Sequence, residues 1–244
     1  MSKLGVYDVA VRYGKIPALE DVSFTVSEGE RLFISGPNGA GKSSLLKAIC
    51  GAAPTSHGRI EVDGDVLNGR SPEAIARLGL TMVPEGRDIF GTLTVEENLR
   101  VGTGIRRDKS AIETDIEEVY ENFPMLADRR HANAGALSGG QQQMLAIGRG
   151  LMTNPKLMLV DEPSLGLAPN IVDQVYQTLV NLQKDRGLTL IIVEQSSARA
   201  ARVGGRMLLL RGGNVVGDGD SVKFAESDLL KEAYFGQDTP EGPS

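Results

Sequence analysis

The residue types with the clearest chemical purpose are gathered in one short stretch: Gly36, Pro37, Asn38, Gly39, Ala40, Gly41, Lys42 and Ser43, followed by Ser44. Glycines at the first, fourth and sixth positions let the backbone turn and come close to an anion, Lys42 supplies a point charge, and Ser43 offers a hydroxyl suited to a hard cation such as Mg²⁺. This is the phosphate-binding loop pattern, in which main-chain N–H groups wrap the phosphates of a nucleoside triphosphate. The apolar residues 32–34 precede it and the segment 43–49 follows it, so the loop is expected at a strand-to-helix junction with the helix N-terminus toward the anion. A second cluster, Asp161 and Glu162, ends the apolar run 157–160. Four apolar residues in succession read as a strand buried on both faces, and α/β sheets collect their ligands at the carboxyl ends of such strands. Alone, the acidic pair would read as a solvated turn or helix cap; with a phosphate loop upstream it reads as part of a site.

A third motif lies between these two. Leu137-Ser138-Gly139-Gly140-Gln141 opens a segment with Leu145, Ile147, Leu151 and Met152 as its apolar set, which makes a second positive helix end with glycines that admit a phosphate. The three motifs, in this order, resemble those of the nucleotide-binding subunits of ATP-binding-cassette transporters, over about residues 4–236. The resemblance implies an α/β fold: a P-loop NTPase (RecA-like) core with an antiparallel β layer and a helical subdomain insert. It implies ATP and Mg²⁺ as the bound species, with Ser43 and Asp161 toward the metal and Glu162 as the base that polarises the attacking water. It further implies a head-to-tail dimer in which Ser138, Gly139, Gly140 and Gln141 cover the ATP held by a second subunit, with Ser164-Leu-Gly-Leu167 crossing the interface. Tyr13 matches the aromatic that stacks on adenine, although one tyrosine near a strand end is otherwise a packing residue.

Two positions depart from the commoner pattern of that family. Where most members carry glutamine, this chain has Glu85, a charged oxygen ligand that can serve Mg²⁺ but repels the γ-phosphate when the ion is absent. Where the switch histidine usually stands, the chain reads Glu194-Gln195, and its two histidines, His57 and His131, lie elsewhere. Gln195 can donate a hydrogen bond to the γ-phosphate but cannot titrate, so more of the catalysis is expected of Glu162. Together with the stretches 93–99, 141–143 and 164–169, these departures make the chain similar to the shorter ATP-binding subunit of branched-chain amino acid importers. Such subunits pair with a second ABC ATPase subunit, a heterodimer or alternatively a homodimer, and with two transmembrane permease subunits and, indirectly, a substrate-binding protein. Importers of urea, amides or aromatic acids, a non-transport ATPase switch, and a module that holds ATP without hydrolysing it stand as alternatives.

The elements that must hold these residues follow from periodicity. Alternating patterns at 6–11, 22–26 and 59–62 predict antiparallel strands. Thr94 and Glu97 have capping-box spacing, and Ile112, Ile116, Val119 and Phe123 share one helical face, so 92–136 is read as the helical subdomain. The core takes 1–91 and 137–236 of a single domain, with a helix at about 169–185, a strand at 188–193 and a hairpin around Arg211-Gly-Gly-Asn214; residues 237–244 are expected to be a frayed tail. No apolar run reaches the ~20 residues that span a bilayer, so the chain is expected to be cytoplasmic, held at the inner face of the membrane through permeases. A net charge of −6 leaves no basic footprint for nucleic acid. The pairs Arg106-Arg107 and Arg129-Arg130 are read as solvated surface, and Cys50 as a small buried apolar group within the first helix.

Overall fold

Alternation of apolar residues produces the first sheet. The computed structural model describes residues 2–225, so the expected tail at 237–244 lies outside the described residues. β1 (Ser2–Tyr13) and β2 (Ile16–Ser27) form a hairpin, with Leu4, Val6, Val9, Val11, Leu19, Val22, Phe24 and Val26 buried. β3 (Arg31–Ser35) leads through the phosphate loop into α1 (Lys42–Ile49). β4 (His57–Val62) and β5 (Asp65–Val66) then complete an antiparallel sheet of order β2-β1-β4-β5. α2 (Pro72–Ala76) and β6 (Leu80–Val83) follow.

The middle of the chain is helical, as its periodicity predicts. α3 (Val95–Gly102) opens with the capping box: Thr94 accepts from the Glu97 N–H, and the Glu97 carboxylate accepts from the Thr94 N–H. α4 (Ile112–Asn122) buries Ile116, Val119 and Tyr120, α5 (Pro124–Ala127) is a single turn, and α6 (Gly139–Leu151) starts at Ser138. The chain returns to the sheet as β7 (Leu157–Asp161), α7 (Pro169–Arg186), β8 (Thr189–Val193), α8 (Ser197–Val203), β9 (Arg206–Arg211), β10 (Asn214–Asp220) and the short α9 (Ser221–Ala225). Gly187 ends α7 with φ 64°, the left-handed cap that glycine takes without strain.

The central sheet has the order β10-β9-β3-β8-β7-β6; β3, β6, β7, β8 and β9 run parallel, and β10 closes one edge antiparallel. Its inner strands β3, β8 and β7 are built on apolar runs because both faces are covered. Phe33, Met158, Val160, Leu190, Ile192, Met207 and Leu209 point to the side packed by α3 to α7. Leu32, Ile34, Leu157, Leu159, Ile191, Val193, Leu208 and Leu210 point to the side packed by α1 and the antiparallel sheet. Each such side chain contributes about 1.5–3 kcal/mol by leaving water. β3 lies between β8 and β9, which places the phosphate loop at the middle of the sheet's carboxyl edge.

Two sequence expectations are corrected. Arg106 is not solvated surface: its side chain is 3% exposed and pairs with Asp108 and Asp115. The turn at 106–108 folds the guanidinium back onto the start of α4, where two carboxylates offset its burial. Cys50 is buried but stands just past α1, as its C-cap.

Candidate nucleotide site

Backbone crowding fixes the shape of the phosphate loop. Gly36 has φ 150°, and a Cβ there would overlap the Leu210 carbonyl oxygen; Gly41 has φ 101°, and a Cβ would overlap the Ala18 carbonyl oxygen. Both are positions only glycine can fill. Ala40 is buried; its N–H donates to the Pro37 oxygen at 3.2 Å, and its own carbonyl accepts from the Gly213 N–H at 3.1 Å. Pro37 is half-buried, while Asn38 and Gly39 are exposed. Ser43 and Ser44 occupy the first turn of α1, which has no side-chain cap, whereas α2, α3, α6 and α8 are capped by Ser71, Thr94, Ser138 and Ser196. The first-turn N–H groups of α1 thus face the loop without a side-chain acceptor.

Lys42 is buried, and its ammonium donates to the carbonyls of Gly36 at 2.8 Å and Pro37 at 3.1 Å. Burial lowers its pKa, opposed by the carboxylates of Glu162, Asp161, Glu194 and Glu85. Four acids around one ammonium make this the electrostatic centre of the carboxyl edge.

Asp161 and Glu162 sit at the end of β7 and are both buried. The Asp161 carboxyl is raised, first by burial and then by Glu162 and Glu85, while a hydrogen bond with Ser43 and the charge of Lys42 pull it down. One of its oxygens, Oδ1, is buried with no hydrogen-bond partner among the described residues. Glu162 adopts φ 46°, a left-handed conformation uncommon for a side chain of this size. It is held there by its N–H to the Val193 oxygen at 3.0 Å and by its carboxylate, which accepts from Gln195 Nε2 at 2.7 Å. Glu85 follows β6 and is exposed, close enough to act on both Asp161 and Lys42. The residues fit Mg²⁺. An acceptor oxygen without a donor stands beside the Ser43 hydroxyl, and no cluster of three or more His, Cys, Asp or Glu exists among the described residues to enclose a metal. A cation here would complete its shell with phosphate and water oxygens, as Mg²⁺ does.

The remaining sequence-derived residues divide by location. Tyr13 ends β1 and is 47% exposed, so it is not a packing residue. Its strand partner Ile16 is two residues from Ala18, whose carbonyl abuts Gly41, so this end of the hairpin runs beside the loop. Ser138 caps α6 in a capping box with Gln141. The surroundings of Gly139 and Gly140 belong to this chain: a Cβ would meet Arg87 Nη1 at 3.2 Å in the first case and Ile171 Cγ2 at 2.5 Å in the second. These glycines therefore answer to packing as well as to any phosphate.

Sequence reasoning missed a second set of polar side chains behind the acids. Glu194 is 2% exposed, accepts from the Tyr176 hydroxyl, and accepts from Arg199 Nη1 at 3.2 Å; the same Nη1 donates to Ser164 Oγ. The available signal was a charged residue closing the apolar run 188–193.

Known proteins resemble this chain in sequence and in fold. The family model described as "ABC transporter" matches residues 19–165. The high-affinity branched-chain amino acid transport ATP-binding protein BraG of Pseudomonas aeruginosa is 43% identical over 228 residues, 93% of this chain and 97% of that protein. A nucleotide-free ATP-binding cassette from an ABC transporter superposes with a TM-score of 0.85 at 25% identity, covering 97% of this chain and all of the other. A dimeric post-hydrolysis cassette bound to ADP and Pi superposes with a TM-score of 0.78 at 25% identity, over 89% of this chain and 98% of the other. With the phosphate loop, the strand-end acids and this similarity over nearly its whole length, the chain belongs to the ABC transporter family, as one of its ATP-binding, ATP-hydrolysing subunits.

Proposed function

We propose that this chain powers an importer, with branched-chain amino acids as the cargo, by closing with a second ATPase subunit around ATP and passing that movement to two membrane permeases. The observation that carries the chemistry is the meeting of Lys42, Ser43, Asp161, Glu162 and Gln195 at the carboxyl ends of neighbouring parallel strands. The cargo reading rests on the similarity to BraG. Among the described residues no helix is long and apolar enough to cross a membrane, so the proposed place at the inner face depends on the permeases.

The residues then act as follows. Residues 36–43 bind the phosphate chain through backbone donors, with Lys42 already buried beside the position the β- and γ-phosphates would take. Ser43 and Asp161, with Glu85 at the rim, would hold Mg²⁺, which when bound spreads the charge of the phosphate oxygens. Glu162 takes a proton from water as that oxygen bonds to the γ-phosphorus, the bond to the bridging oxygen breaks, and ADP and inorganic phosphate leave. Gln195 keeps the Glu162 carboxylate aimed without itself changing charge. Tyr13 stacks on the base, and Ser138, Gly139, Gly140 and Gln141 cover the partner subunit's triphosphate. Moving such a clamp from almost all open to almost all closed takes about 5.5 kcal/mol of preference for the closed state, which two bridging nucleotides share.

Glu162→Gln is the direct test. It should lower phosphate release by about 10²–10⁴-fold while ATP still binds, as read by calorimetry. Near-normal turnover in that variant removes the base role. Recovery of the complex from membranes, followed by leucine uptake into vesicles, tests the cargo.

A further inference from the structure

Tyr176, Glu194, Arg199 and Ser164 make a continuous set of contacts that the proposed chemistry does not use. Glu194 leaves β8 with its N–H on the Ile34 oxygen at 3.0 Å, so its backbone is anchored to the strand that feeds the phosphate loop. Its carboxylate is buried against the Tyr176 hydroxyl of α7. A buried carboxylate needs a cation, and Arg199 of α8 supplies it. The position of Arg199 is itself fixed, because its N–H is accepted by Ser196 Oγ, the cap of α8, at 3.3 Å. Charge balance at Glu194 alone would ask for no second acceptor at the guanidinium nitrogen. Instead the nitrogen that meets Glu194 also donates to Ser164, two residues beyond Glu162.

A closed ring results. It runs from Glu162 to Gln195 by hydrogen bond, to Glu194 along the chain, to Arg199 by ion pair, to Ser164 by hydrogen bond, and back to Glu162 through Pro163. The loop itself is tight: the Leu165 N–H donates to the Glu162 oxygen at 3.1 Å and the Leu167 N–H to the Ser164 oxygen at 3.3 Å. Leu165, at its outer bend, is 47% exposed.

We propose that Arg199 is a positioning residue that ties the loop 164–167 to the end of β8, so that the placement of this loop sets the aim of Glu162. The inference rests on the base role given to Glu162 above. A surface arriving at Leu165 would then be felt at the attacking water through bonds rather than across open space. The leverage is large because a misplacement of about 1 Å at a reacting group can cost about 10²-fold in rate.

The test uses the ATPase with the partner subunits it co-purifies with, and reads steady-state phosphate release against ATP concentration together with the melting temperature. Wild-type turnover is measured first; its absence would defeat the ATPase reading itself and this proposal with it. Ser164→Ala and Arg199→Ala should each lower kcat about tenfold while leaving KM for ATP within about twofold. Their double variant should fall no further than Arg199→Ala alone, because both remove one bond, and Arg199→Lys should restore part of the loss. Arg199→Ala leaves Glu194 without its cation and lowers the melting temperature. Arg199→Ala combined with Glu194→Gln removes that buried charge, so it should melt near wild type and still turn over slowly. Wild-type kcat in Ser164→Ala or in the Arg199→Ala, Glu194→Gln pair, or independent multiplication of the Ser164 and Arg199 effects, would overturn the proposal.

Discussion

Burial, more than any charged neighbour, raises the Asp161 carboxyl above its ordinary range, and this gives the site a defined response to pH. The folded chain holds that proton more tightly than the unfolded chain. Its contribution to stability is therefore fully present below the unfolded value and is lost as pH rises through the raised folded value. Asp161→Asn removes the buried charge. Without nucleotide the variant should melt at or above the wild-type temperature at pH 8, with the gap closing toward acid pH. With Mg²⁺ and ATP the order should reverse: wild type gains about 2.7 kcal/mol at a hundredfold excess over Kd, and the variant gains much less. Calorimetry with and without EDTA checks both halves, and an unchanged Mg²⁺ response in Asp161→Asn would remove this residue from the metal site. The residues of the phosphate loop and the acids at 161 and 162 were readable in advance because type and spacing alone define their chemistry. Arg199 and Tyr176 were not, since their contacts with Glu194 depend on how α7 and α8 cross the end of β8, which no local pattern encodes.

At the level of elements, α3 shows how a single buried amide organises a loop. Asn98 is fully buried on this helix. Its side-chain oxygen accepts from the Phe90 N–H at 2.9 Å, and its nitrogen donates to the carbonyls of Phe90 at 3.0 Å and Thr94 at 2.9 Å. The stretch after Glu85 is thus clipped to the helix that follows it. Asn98→Leu keeps the branching at Cγ but strands these backbone groups, at about 1–3 kcal/mol for each buried group left unpaired. Denaturant unfolding should show a loss of at least about 2 kcal/mol, and an unchanged midpoint would mean that the amide is dispensable. Gly36→Ala is a contrasting case: its Cβ would overlap the Leu210 carbonyl, so the loop must shift, and ATP binding should fall at least tenfold in calorimetry while helical content persists. Alternating and unbroken apolar runs made β1, β2, β7 and β8 legible, and capping chemistry made the start of α3 legible. The burial of Arg106 was not, because Asp108 and Asp115 neutralise it only once the turn before α4 has formed.

For the molecule as a whole, the proposed dimer has an accessible test at Leu165, a large apolar side chain left 47% exposed on the loop after the acids. In the Glu162→Gln background, ATP with Mg²⁺ should drive association with the partner subunit, seen by light scattering, and ADP should not. Adding Leu165→Asp should abolish that association while ATP affinity of the isolated chain changes by less than about threefold; a dimer that survives the aspartate places the contact elsewhere. The order of the central sheet has a separate outcome during synthesis. β3, which leads into the phosphate loop, is hydrogen-bonded only to β8 and β9 within its sheet, strands that begin at Thr189 and Arg206. A nascent polypeptide thus carries Leu32, Phe33 and Ile34 from the ribosome as an unpaired apolar ribbon until most of the message has been read, an interval in which chaperones have something to grip. Nucleotide affinity is consequently a late acquisition: ribosome-bound fragments ending before β8 should gain no protease resistance from ATP, and those that extend past β10 should.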